Sequence, residues 1–225
     1  MRAGAEITLT ELAATVSSRI PAQGRYLLGI AGPPAAGKST LSRQLVAAVR
    51  AEQTVPAQIA PMDGFHRTSA ELDAAGARHR KGEPDTFDTA GFVARLRRLR
   101  TAPLGRPVPW PDFDRARDDP VPDAIVFTGQ RLAVVEGNYL LLEQPGWAQV
   151  RAQLDEVWYL HAEQEVIEPR LVDRHRHGGM TIHQARVKVA DSDLPNARLI
   201  AGTRAAADLV LREDGGSYAV LEQRR

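Results

Sequence analysis

The sequence predicts a three-layer α/β fold, with a mainly parallel sheet covered by helices on both faces. Two observations carry this expectation. Five apolar segments of strand length, Tyr26–Ala31, Val55–Met62, Arg131–Glu136, Glu156–Leu160 and Ala207–Leu211, are separated by stretches whose apolar residues recur at helical spacing. A glycine-containing octapeptide, Gly32 to Ser39, also joins the first of those strands directly to a helix. The 225 residues, 43% of them hydrophobic, are enough to build one such core, and no Ser/Gly-rich linker divides them. One domain over residues 1–225 is expected.

Taken in order, Thr8 and Glu11 have the spacing of a capping box, and Leu9, Leu12, Val16 and Ile20 follow at near-helical intervals. Pro21 to Gly24 ends that helix. After the first strand and the octapeptide, Leu41, Leu45, Ala48 and Val49 mark the buried side of a second helix. The second strand runs into Asp63-Gly64-Phe65-His66, and Ser69 to Ala75 suits a short helix. Asp88 or Thr89 can cap a helix through Phe92, Val93, Leu96 and Leu99, with Arg95, Arg97, Arg98 and Arg100 forming a solvated basic face. Pro103 to Pro122 reads as a proline-rich irregular stretch. The third and fourth strands follow, then helical patterns over Glu163–His177 and Ile182–Ile200, the latter broken near Pro195. After the fifth strand, Ser217 to Leu221 suits a short edge strand.

Gly32-Pro33-Pro34-Ala35-Ala36-Gly37-Lys38-Ser39 satisfies G-x-x-x-x-G-K-[ST] at every defined position. Glycines let backbone amides wrap a polyphosphate, and the following helix adds its positive N-terminal end. Strand, glycine loop and helix together are the context of a P-loop NTPase fold, so a nucleoside triphosphate is the expected ligand. Gly32, Pro34, Ala35, Ala36, Gly37, Lys38, Ser39 and Thr40 are the expected triphosphate-binding residues. Lys38 would reach the outer phosphates, and the Ser39 hydroxyl could ligate Mg²⁺. Parallel sheets bind ligands at the carboxyl ends of their strands, where Asp63 and Glu136 also fall. Asp63 suits a general base, or a plain turn aspartate. Glu136 suits a magnesium carboxylate, held through water, or an acid capping the next turn. Arg170 and Arg174 are spaced i, i+4 and share a helix face; they suit a phosphate lid hinged at Gly178-Gly179, or a solvated surface.

Composition removes other classes. A net charge of +1, with acids and bases interspersed, argues against a nucleic-acid or membrane-surface protein. The absence of cysteine rules out disulfides and thiolate metal sites and suits a cytoplasmic location. No apolar run reaches the roughly 20 residues of a membrane span, and Met1–Glu6 carries no apolar leader core. The histidines follow no zinc pattern, and His161 reads as structural. A small-molecule partner is expected, and a homodimer is kept open.

Together, Gly32–Thr40, Pro61–His66, Arg80–Asp88, Val134–Leu141, Arg170–His175 and Asp193–Ala197 resemble the P-loop kinase family that holds uridine kinase, phosphoribulokinase and bacterial type I pantothenate kinase, and most nearly its nucleoside/nucleotide kinase-like group, also described as fructose or sugar kinase-like. These stretches cover most of the chain in the family's order. The resemblance implies ATP and Mg²⁺ as cofactors, a hydroxyl-bearing metabolite as acceptor, and a helical lid near residues 168–190. It implies Asp63 as base, Lys38 and Arg174 as catalytic, Arg170 on the nucleotide phosphates, and Glu136 serving the metal. It implies an acceptor pocket drawn from His66, Lys81, Asp85, Phe87, Arg115, Asn138, Tyr139 and Asn196. Gly82 stands where uridine kinases usually carry an aspartate for the ribose hydroxyls, and Val108–Arg115 lacks the Tyr/Ser/His-rich wording of pantothenate kinases. The acceptor therefore stays open, as does a regulatory nucleotidase with no small acceptor.

Overall fold

A computed structural model describes residues 4–224 of the chain. The reading of a leaderless N-terminus rests in part on residues 1–3, which lie outside that range. Strand β2 (Tyr26–Ala31), buried along its whole length, is the middle of the parallel sheet. It pairs in parallel with β6 (Leu132–Glu136) on one side and β7 (Glu156–His161) on the other. Strand β3 (Ala57–Pro61) lies outside β6, and β8 (Leu209–Asp214) lies outside β7, both parallel. Antiparallel β9 (Ser217–Gln223) and the two-residue β1 (Glu6–Ile7) complete that edge. The expected parallel α/β architecture is present.

Alternation of side chains assigns the two faces. Leu28 and Ile30 of β2, Val134 of β6 and Trp158 and Leu160 of β7 join Leu12 and Val16 of α1 (Leu9–Ser17) and Leu41 and Leu45 of α2 (Lys38–Glu52). Leu27, Ala133, Val135, Val157 and Tyr159 face the other way, onto Phe92, Leu96 and Leu99 of α4 (Thr89–Thr101). A period of two is what a strand buried on both sides requires, and each fully buried large apolar side chain contributes roughly 1.5–3 kcal/mol. Thr8 and Glu11 form the capping box of α1, and the Asp88 carboxylate caps α4 through Gly91 N at 2.9 Å. Arg97, Arg98 and Arg100 are exposed as expected, whereas Arg95 is partly buried and donates to the Pro109 carbonyl.

The stretch expected to be irregular is instead a β-hairpin, β4 (Val108–Asp114) against β5 (Asp119–Phe127). Its prolines, Pro109, Pro111, Pro120 and Pro122, masked it. A proline cannot donate to a ladder, but each strand of a two-stranded ribbon is paired on one side only, so the missing donor can face outward. The ladder shifts register between Trp110 and Asp112, at Pro111. Trp110 anchors the hairpin: it is fully buried, and its Nε1 donates to the Pro61 carbonyl at 2.9 Å. The hairpin packs on the turn that follows β3, with the Pro111 carbonyl 2.4 Å from where a Cβ on Gly64 would stand. Glycine is therefore required at 64 for close approach.

The C-terminal helices are α5 (Gln164–His177), α6 (Ile182–Lys188) and α7 (Leu194–Ala201), after the short α3 (Ser69–Ala74) near the hairpin turn. The expected break near Pro195 is a π turn, Val189–Asp193, immediately before Pro195 enters the first turn of α7, a position proline tolerates. Among the described residues no helix is long and apolar enough to cross a membrane.

At the amino end of the sheet, the buried Glu156 carboxylate collects three donors. Tyr26 Oη donates at 2.8 Å, Trp158 Nε1 at 2.7 Å, and Arg19 pairs with it at the surface. Glu156→Ala removes the common acceptor and leaves the two buried donors unsatisfied. We expect a stability loss on the order of 3 kcal/mol in urea unfolding; a loss under about 1 kcal/mol would mean that water replaces the carboxylate.

Candidate active site

Register brings the site together. Ile30, Glu136 and Pro61 lie side by side across β2, β6 and β3. The chain leaving those strands therefore delivers the Gly32 loop, Asn138 and Asp63 to one crevice at their carboxyl ends.

The loop closes tightly over β7. Gly32 has φ +146°, and a Cβ there would lie 2.4 Å from the Leu160 carbonyl oxygen. Gly37 has φ +100° as N-cap of α2, and no side chain caps that helix, so its first amides remain donors for an anion. Ala35 holds φ +61° without being glycine, a costly conformation of the kind that collects at ligand-binding turns. Pro34 and Ala36 complete the loop, and Thr40 lies on the exposed side of α2.

Lys38 is 7% exposed. Its Nζ donates to the Pro33 carbonyl at 2.8 Å and to Asn138 Oδ1 at 2.7 Å. Burial pushes its pKa down to about 8, against the pull of Glu136 and Asp63 and with the help of Arg174 and Arg115. Ser39 Oγ donates to both oxygens of Glu136, at 3.0 and 3.1 Å. Burial, then the Asp63 charge, raises the Glu136 pKa, while Lys38, Ser39 and Arg115 oppose the shift. A hydroxyl facing a carboxylate is a hard-oxygen donor pair, which fits magnesium. Among the described residues no three acids, histidines or cysteines form a closed cage, and magnesium sites normally complete their shell with waters and phosphate oxygens.

Asp63 sits in a 3₁₀ turn, Met62–Phe65. Its carboxylate faces Arg115 Nη2 at 3.4 Å, on the turn of the hairpin. Its carbonyl accepts from His66 Nδ1 at 2.8 Å, which fixes the proton on that nitrogen and leaves Nε2 as an acceptor. Burial holds the His66 pKa down, which favours the neutral ring. On α5, Arg170 donates to the Ala35 carbonyl at 3.2 Å. Leu171, Val189 and Leu194 pack together with Ala35 and Val172, which seats the C-terminal helices on the loop. Arg174 is exposed as a residue, yet desolvation of its guanidinium, followed by the Arg115 charge, lowers its pKa, while Asp63, Asp193 and Glu136 act the other way. Lys38, Glu136, Asp63, Arg115 and Arg174 thus feel one another's charge.

Most of the other residues proposed from the sequence have partners of their own. Phe87 is 3% exposed, in an aromatic cluster with His66, Tyr139 and Trp147. Tyr139 is equally buried, and its hydroxyl donates to the Gly82 carbonyl at 2.6 Å. Lys81 braces the hairpin turn, donating to Ser69 Oγ at 3.1 Å and to the Asp118 carbonyl and Asp119. Asp85 pairs with Arg80 at 2.7 Å. With Asn196 it lines an adjoining cavity of about 400 Å³, alongside Glu83, Asp191 and Ser192. Those last three carry no spacing signal. Glu83 and Ser192, in contact at 3.3 Å, are 109 residues apart in sequence.

No protein-family model matches the chain. It is 35% identical over 198 residues to the uncharacterized protein YggC of Escherichia coli (strain K12), with 87% of this chain and 81% of that protein covered. It is 35% identical over 199 residues to a Schizosaccharomyces pombe protein named "Putative uridine kinase C227.14", covering 85% and 84%. A crystal structure described as "putative fructose transport system kinase from Silicibacter sp. TM1040" superposes with a TM-score of 0.83 at 39% identity, covering 91% of this chain and 98% of that one.

The lowered Lys38 pKa has a measurable consequence. A polyphosphate stabilises the charged lysine, so binding above the pKa of about 8 draws a proton from solution. Calorimetry of a triphosphate at pH 8.5, in buffers of different ionisation enthalpy, should show uptake on the order of half a proton, absent in Lys38→Ala. Equal uptake by the two proteins would assign the proton to another group.

Proposed function

Because this chain belongs to the uridine kinase-like family of P-loop kinases, we propose that it transfers the γ-phosphate of ATP to a hydroxyl of a small metabolite, with Asp63 as the base. The observation that carries the reading is the placement of the Asp63 carboxylate, held only loosely by Arg115, beside the anion cradle around Lys38, close enough that its charge acts on that lysine. The cysteine-free sequence supports a cytoplasmic setting.

In this reading the loop amides and the N-terminus of α2 hold the β- and γ-phosphates. Lys38 leaves Asn138 and turns to the outer phosphates. Ser39 and Glu136 would hold magnesium, which when bound supplies neutralising charge to the triphosphate. The acceptor hydroxyl gives its proton to Asp63 as its oxygen bonds to the γ-phosphorus. The bond from that phosphorus to the bridging oxygen breaks, and ADP leaves. Arg174 faces the charge that spreads over the transferred group, and Arg170 keeps its helix on the loop. His66 Nε2 can accept a hydrogen bond from a second group of the acceptor and so orient it.

The direct test is ADP formation with and without a panel of nucleosides, sugars, polyols and pantothenate. Stimulation by an acceptor, with label passing from γ-labelled ATP to that acceptor, is expected. Hydrolysis indifferent to every acceptor would replace this reading with a regulatory nucleotidase.

Asp63→Asn is expected to lower turnover by on the order of 10²–10⁴ and leave the KM for ATP nearly unchanged. Wild-type turnover in that variant would remove Asp63 from the chemistry. Arg174→Ala is expected to slow transfer more than it weakens ATP binding; equal losses in the two would make it a ground-state clamp.

A further inference from the structure

We infer that the acceptor is itself an anion: an alcohol that also carries a carboxylate or a phosphate, recognised by Arg115. The inference rests on the kinase reading above and deepens it.

Arg115 stands on the turn joining β4 and β5, with its side chain 58% exposed. Among the described residues its one ion pair is with Asp63, at 3.4 Å. That separation lies beyond the range of a good N⁺–H···O⁻ contact, so the guanidinium is held loosely. It is nevertheless presented firmly. Arg78 and Lys81 bind Asp118, and Ser69 N donates to Asp119 at 2.6 Å, so the segment after His66 braces the hairpin turn. Below the turn, Pro111 packs directly on Gly64.

The guanidinium stands against the carboxylate oxygen that the acceptor hydroxyl must reach, which obstructs general-base catalysis. A neutral alcohol entering the crevice would leave that handicap in place. An alcohol bearing an oxyanion offers Arg115 a planar, bidentate partner in exchange and frees Asp63 for the hydroxyl. The transferred phosphate has other cations, since Lys38 lies under the loop and Arg174 approaches from α5. Arg115 belongs instead to the Asp63 side, on a different element. Glu83 and Asp85 of the adjoining cavity do not compete for it, because they face Arg80, at 3.6 and 2.7 Å.

The test uses the full chain, γ-labelled ATP, and a protein-free small-molecule extract of bacterial cells split on an anion exchanger at neutral pH. Label transfer is expected to acceptors in the retained pool. Phosphatase treatment of that pool beforehand separates the sources: lost acceptor activity identifies a phosphate, preserved activity a carboxylate. With the active pool, Arg115→Gln is expected to raise the apparent KM for acceptor by about 10- to 100-fold without changing the KM for ATP, and Arg115→Lys to recover part of the loss. Transfer confined to the unretained pool overturns the inference and leaves the kinase reading standing. So does an Arg115→Gln variant whose KM rises for ATP and not for acceptor. If neither pool accepts label, the kinase reading fails and this inference falls with it.

Discussion

Parallel pairing of β2 with β6, and of β6 with β3, positions the phosphate loop, Glu136 and Asp63. The strands are apolar because both faces of the sheet are covered, and side chains of alternating direction lock the register: a slip of one residue would turn Leu28, Ile30 and Val134 into the opposite core. With that register held, Ile30, Glu136 and Pro61 end level. Whatever follows them must emerge at the same edge. The phosphate loop, the Glu136 carboxylate and Asp63 share a crevice because the hydrophobic pattern of three separate segments permits one alignment.

The cradle is strained and charged, and the surrounding protein compensates locally. Lys38 is buried and would be costly without partners, so Pro33 and Asn138 receive its hydrogen bonds. Ser39 and Glu136 satisfy one another in the same manner. Ala35 is held at positive φ between the seat of α5 on its carbonyl and the small apolar cluster of Leu171, Val189 and Leu194. These interactions are exchangeable. Each can be surrendered to a phosphate oxygen or a metal-bound water of similar hydrogen-bonding capacity, so a ligand enters without leaving a buried polar group unpaired.

Much of the fold was legible in the chain because it depends on short-range rules. Leu41, Leu45 and Val49 recur at helical spacing, Thr8 and Glu11 cap α1, and the buried strands are continuous apolar runs. The hairpin was not legible, since its four prolines read as loop unless one knows that each strand keeps a free edge. The need for glycine at 64 arises from the Pro111 carbonyl, which belongs to the hairpin, so no local pattern shows it. Nor does spacing distinguish the eight proposed acceptor residues. Phe87 and Tyr139 are in the aromatic core, Lys81 braces a turn, Asp85 and Asn196 face a neighbouring cavity, and Arg115 and Asn138 lie against Asp63 and Lys38.

Sequence alone determined the phosphate loop, the succession of the five parallel strands and the helices between them, and which acids end the strands. Those features are encoded within a few residues of one another, by backbone freedom at glycine and by hydrophobic period. The tertiary structure alone decided which side chains share space: that Asn138 receives Lys38, that Arg115 reaches Asp63 from a hairpin 52 residues away, and that Glu83 meets Ser192. Such pairings depend on how separate elements pack. No local pattern carries that information, because a charged side chain's partner is set by distance in space and by the water excluded between them.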